Sequence, residues 1–186
     1  MEKYIQPYPL VMRIIHTGLA LFGVAAFLTG ELAEEVEHGF SAGYWLHAYL
    51  GLTLAVFLFS HFVYRIVAGG WSISKWLPGK DSVYTAIQED INQLTRFRLP
   101  VRNDHSGIAG LVQAFGLLIF LWMSITGIIL LYLGGPEGSD VAHAIGEAHE
   151  AGEYLIPIFL ILHIGAVILH TFTGHAIWQR INPFTK

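Results

Sequence analysis

Residues 44–68 read YWLHAYLGLTLAVFLFSHFVYRIVA. An apolar run of this kind, slightly longer than the roughly 20 residues that carry a helix across the hydrocarbon core of a bilayer, predicts a transmembrane helix. Its two histidines, His47 and His61, stand fourteen residues apart. On a helix that is nearly four turns, about 21 Å, so both rings share one face, one toward each edge of the membrane.

Working outward, three more runs have the same character: Leu10–Thr29, Ile108–Leu133 and Tyr154–Ile177. Together they predict an all-α, integral membrane four-helix bundle, a single membrane domain over residues 1–186. The composition agrees: 54% of residues are hydrophobic and 13% charged, with a mean hydropathy of +0.53. The first run is expected to stay as an anchor, because no small-residue cleavage site follows it and the acidic segment from Glu31 to His38 simply continues the chain. The connection over residues 69–107 is the longest, and within it Asp81–Arg98 spaces Val83, Ile87, Ile91 and Leu94 along one face, which predicts an interfacial helix.

Basic residues are retained on the cytoplasmic face during insertion. Lys3 and Arg13 precede or open the first run, Arg65, Lys75, Lys80, Arg96, Arg98 and Arg102 gather around the second connection, and Arg180 and Lys186 follow the last run. The first and third connections hold no lysine or arginine but carry Glu31, Glu34, Glu35 and Glu37, then Glu137, Asp140, Glu147, Glu150 and Glu153. Both termini are therefore expected to be cytoplasmic in a multi-pass protein of a bacterial inner membrane. Tyr44, Trp45, Trp71, Tyr132 and Trp178 fall near the expected interfaces, where aromatic rings are favoured.

The chain has no cysteine and ten histidines. Disulfides, iron–sulfur clusters, thiolate zinc sites and covalent C-x-x-C-H heme attachment are thereby excluded, and any metal must sit on histidine, carboxylate or methionine. Imidazole gains nothing from lipid unless its nitrogens find a metal or a hydrogen-bond partner. In the fourth run His149 and His163 repeat the fourteen-residue interval. His47 and His149 fall at the outer, acidic level; His163, His61 and His16 fall in the inner half. Paired histidines on facing helices suit two heme irons, an outer one between His47 and His149 and an inner one between His163 and either His16 or His61. With two imidazoles an iron is closed to outside ligands, which fits electron transfer rather than oxygen activation.

Further motifs carry a resemblance. Arg13-Ile14-Ile15-His16, Leu28-Thr29-Gly30 closing the first run, His47 followed by Leu50-Gly51, Thr126-Gly127 in the third run and the paired histidines of the fourth resemble the bacterial cytochrome b561 family, which includes the b-type cytochrome subunits of nickel–iron hydrogenases and formate dehydrogenases. The resemblance covers all four runs. It implies a diheme b-type cytochrome that transfers electrons through the membrane between a redox partner and the quinone pool, with two heme b as cofactors and quinone as an exchangeable substrate. Carried over, His16 and His163 hold the inner heme and His47 and His149 the outer one. Thr17 stands where the family usually has an aromatic residue, and His61 where an arginine is expected, so His61 stays the alternative inner ligand. The implied partners are membrane lipid, quinone and a redox partner subunit or c-type cytochrome; a second copy of the chain is left open and nucleic acid is not expected. Whether the chain is an electron-transfer subunit or a quinone oxidoreductase in its own right depends on a quinone site that the sequence does not define.

His170 lies seven residues past His163, placed for a heme propionate, a quinone carbonyl or plain interhelical bonding. Arg13 and Arg65 suit inner propionates and equally mark the cytoplasmic boundary. His38, His105, His143 and His175 read as solvated histidines at the edges or outside of the runs. Glu150 and Glu153 read as acids at the start of the fourth helix, favoured by its dipole, with orientation of an imidazole or receipt of a quinol proton as the sharper alternative. Gly18, Gly23, Gly51, Gly127 and Gly165 fall inside the runs, and Gly51, one turn from His47, would admit a porphyrin face. Pro157 should bend the fourth helix or open a carbonyl. A histidine-lined metal or proton transporter is the competing function; it would want carboxylates or broken helices near midplane, and Pro157 is the only such feature in the runs.

Overall fold

A computed structural model describes residues 7–34, 41–69, 80–101 and 107–184. Lys3, Glu35, Glu37, His38, Trp71, Lys75, Arg102, His105 and Lys186, given places above, lie outside the described residues. The helices are α1 (Leu10–Leu28), the short α2 (Gly30–Glu34), α3 (Ala42–Gly69), α4 (Lys80–Leu94), α5 (Gly107–Leu133), α6 (Asp140–Glu153) and α7 (Leu155–Phe172). There is no strand among the described residues, and four segments are long and apolar enough to cross a membrane: Leu10–Leu28, Ala42–Ala68, Gly107–Leu133 and Asp140–Phe172.

The fourth crossing starts well before the apolar run that announces it. Ser139 caps α6, its side chain accepting from the Ala142 N–H at 3.2 Å, with Asp140 in the first turn. The helix then runs to Glu153 and gives way at Tyr154 to α7, which carries Pro157 in its first turn. Proline offers no N–H to the carbonyl four residues back, here that of Glu153, and its ring crowds that carbonyl. The α6–α7 junction falls at that place. Glu150 and Glu153 therefore close α6 rather than begin a helix, so the dipole does not explain them; α6 begins at Asp140.

Each long helix gives two residues to one apolar core: Ile15 and Leu19 from α1, Leu54 and Leu58 from α3, Ile119 and Phe120 from α5, and Ile156 and Phe159 from α7. Along α3 the pair lies between His47 and His61; along α6–α7 it lies between His149 and His163. On these two crossings the core lies between the histidine levels, while on α1 Ile15 and Leu19 flank His16. The outward faces, including Leu21, Val56, Phe59, Leu118, Ile161 and Phe172, are exposed apolar surface suited to lipid chains.

At one end of the bundle the first and last described segments meet. The Tyr8 N–H donates to the Arg180 carbonyl at 2.9 Å, and the Arg13 guanidinium donates to the Asn182 carbonyl at 2.9 Å. The described N- and C-terminal segments lie on the same side, as an even number of crossings requires.

Within the expected range 81–98 a helix is observed, α4, ending at Leu94 and packed against α5. Its last turn closes on Phe97, which takes a left-handed φ of 55° and lets the Arg98 N–H return to the Gln93 carbonyl at 2.9 Å. Asp90, only 1% exposed, accepts the Ile108 N–H at 2.9 Å and so caps the first turn of α5 from outside. Asp90→Ala strands that half-buried N–H, and a loss of about 1 kcal/mol is expected. It should appear as a lowered thermal midpoint in detergent, largely recovered in Asp90→Asn, which keeps an acceptor. An alanine variant as stable as the parent would show that the contact carries no stability.

Candidate functional site

Two pairs of imidazoles face each other across the bundle. At the level nearer the described terminal segments, termed inner as against an outer level at the other end, the ring of His16 on α1 has its centroid 6.2 Å from that of His163 on α7, with 31° between the planes. On the outer level His47 of α3 and His149 of α6 are 6.1 Å apart and perpendicular. All four are half-buried in the interior. Two imidazoles bound to opposite faces of one metal, with bonds of about 2.0 Å and about 1.1 Å more to each ring centre, have centroids about 6.2 Å apart. Both pairs have that separation, so the residues present fit a bis-histidine heme.

The outer rings are also oriented. His47 donates Nδ1–H to the Ala26 carbonyl at 3.0 Å, with the Thr29 hydroxyl 3.5 Å from the same nitrogen. His149 Nδ1 lies 2.7 Å from the Thr126 hydroxyl. An imidazole that spends its N–H in this way leaves Nε2 with the lone pair a metal needs. Space is arranged to match: a Cβ on Gly51 would meet nothing within 4 Å, whereas one on Gly127 would lie 3.2 Å from His149 Cε1. The first glycine opens room beside His47; the second lets the His149 ring lie close against α5.

His61 stands edge-on to Phe62, with ring centroids 5.9 Å apart, and comes near enough to His16 to interact with it electrostatically. The His16 ring meets that of His163 at a bis-imidazole spacing. His170, beyond His163 on α7, has a buried Nδ1 with no partner among the described residues and packs against His175 at 6.3 Å. Arg13 is engaged with the C-terminal segment, and Arg65 lies half-buried near the end of α3. Among the remaining candidates, His143 is solvent-exposed and faces Glu147 at 3.5 Å, Glu150 is exposed, and the Glu153 carboxylate lies against Gly30. Among the described residues no three His, Asp or Glu side chains cluster as a cage for a bare metal ion.

Sequence reasoning quoted Thr126 as part of a motif without a role and did not consider Trp122, whose indole N–H donates to the Ala148 carbonyl, next to His149, at 2.8 Å. No curated protein and no solved structure matches the chain. The family model of prokaryotic cytochrome b561, however, matches residues 7–183, nearly the whole length. Four membrane-crossing helices around paired imidazoles accord with that match, and the chain belongs to the prokaryotic cytochrome b561 family, membrane proteins that carry b-type heme and take part in electron transfer.

Proposed function

We propose that the chain is a diheme b-type cytochrome that relays electrons through the membrane between a redox partner and the quinone pool. The observation that carries this reading is the pair of imidazole couples at 6.2 and 6.1 Å, drawn from different helices at two levels. His16 and His163 would hold one heme, His47 and His149 the other. Heme bound there supplies a one-electron ferric–ferrous couple. With both imidazoles of a pair engaged, the iron would be closed to outside ligands, and the apolar core between the levels would keep water out of the path. The Ala26 carbonyl keeps the His47 ring in the tautomer that leaves Nε2 for a metal.

The redox partner is a subunit of a larger oxidoreductase or a c-type cytochrome meeting the acidic outer connections. Quinone binds at one of two places: the inner end near His170, where a buried Nδ1 is available, or the outer mouth near Glu150. With the basic connections facing inward, the chain would sit in a bacterial inner membrane with both termini cytoplasmic. A reduced-minus-oxidised spectrum and a pyridine hemochrome count on the purified chain are expected to give two b hemes per chain. One heme would reject the diheme arrangement, and a colourless protein that carries metal ions or protons would favour the transporter.

A further inference from the structure

We propose that Thr126, assisted by Trp122, is a positioning residue that decides which nitrogen of His149 is left for the metal and how strongly that nitrogen donates. The proposal rests on the reading of His149 as an axial ligand. Helix α5 has no histidine, yet it grips the ligand-bearing segment twice within one turn. Trp122 Nε1 donates to the Ala148 carbonyl at 2.8 Å, fixing the backbone beside His149. One turn on, the Thr126 hydroxyl is 2.7 Å from His149 Nδ1 and 2.8 Å from the Trp122 carbonyl.

A hydroxyl has one proton to give, and a carbonyl can only accept. The arrangement that satisfies every group sends the Thr126 proton to the Trp122 carbonyl and leaves the hydroxyl oxygen to accept Nδ1–H from His149. Nε2 then keeps its lone pair. The opposite arrangement, with the hydroxyl donating to Nδ1, would put the proton on Nε2 and block metal binding. Thr126 is buried, so water does not readily substitute for it. On the other side of the site the equivalent contact uses the backbone carbonyl of Ala26, which no side-chain change removes. Among the described residues, the Thr126 hydroxyl is the shorter side-chain contact to an outer Nδ1, 2.7 Å against 3.5 Å from Thr29 to His47, and a side-chain replacement can delete it. An acceptor at Nδ1 gives imidazole some imidazolate character, making it a stronger donor and favouring the ferric state.

Thr126→Val removes the acceptor at nearly constant shape; Thr126→Ser restores it. Heme content and the midpoint potential of each heme are the readouts. In Thr126→Val the heme content should hold and one midpoint should rise, the preference for ferric over ferrous falling about tenfold, or about 59 mV for one electron. The other midpoint should stay in place, and Thr126→Ser should return the first to its native value. Unchanged midpoints in Thr126→Val, or a serine variant displaced as far as the valine variant, would overturn the proposal. If the valine variant loses heme, retention at a native midpoint in Thr126→Ser supports the hydroxyl's role and loss there overturns it. His149→Ala separates the two claims: if both hemes remain in that variant, the ligand assignment itself has failed.

Discussion

Changing His16 to alanine is expected to lower the heme content of the purified chain from two to one, while His61→Ala leaves it at two. The expectation follows from spacing. His16 and His163 have centroids 6.2 Å apart, a separation at which a single metal between them can reach both rings. They also come from the first and last crossings, so ligation at this level would tie α1 to α7 as the outer pair ties α3 to α6. If His61 were the ligand instead, α3 would supply both levels and α1 none. The two variants give opposite results in a pyridine hemochrome count and in the residual reduced spectrum, because an axial ligand removed from a bis-histidine site leaves a vacant or emptied site. Heme lost in His61→Ala and kept in His16→Ala would move the inner ligand to α3. Equal retention in both would mean that neither is essential.

The four crossings are legible because length and unbroken apolarity are what a bilayer demands, and Tyr44–Ala68 meets that demand almost residue for residue with the observed α3. The same criterion misplaces the start of the fourth helix. From Asp140 to Glu153 the chain mixes histidine and glutamate with alanine and glycine, so the first part of that helix does not read as apolar, although its small residues pack on α5. Gly152 is buried there, where a Cβ would press on Met123 and Trp122. Glu150 and Glu153, expected at a helix start, close α6 for the same reason. The outer pair is suggested by interval and topology, since residues fourteen apart share a face whatever the partner helix does, whereas at the inner level these leave His16 and His61 open and only the family motif favours His16. The contacts of Thr126 and Trp122 with α6 are not legible in this way. They join residues more than twenty positions apart through the crossing of α5 with α6, and nothing local to either segment specifies that crossing.

Phe159→Ala is expected to be the most destabilising single truncation in the apolar layer between the histidine levels. The ring is 8% exposed. It meets Phe120 edge-on at 5.8 Å and stacks on His163 at 5.2 Å with 27° between planes. It also fills a notch in α5 that exists because residue 116 is glycine; a Cβ there would overlap the ring. In a water-soluble core such a truncation costs about 3–5 kcal/mol. In a bilayer the share that comes from leaving water is reduced, because lipid is itself apolar, while lost packing and the cavity remain. The expected loss is therefore near the lower end, about 3 kcal/mol, read as a lowered midpoint of helix unfolding in detergent. Phe172→Ala is the matched control: its ring is 85% exposed, faces the lipid side and should cost little. The stacking on His163 adds a second readout, since a ring freed on one side should broaden or shift the spectrum of the inner heme and leave the outer one alone. Equal midpoints in the two variants would mean that Phe159 packs no better than a lipid-facing residue. A spectrum unchanged at both levels would mean that its contact with His163 does not hold that ring.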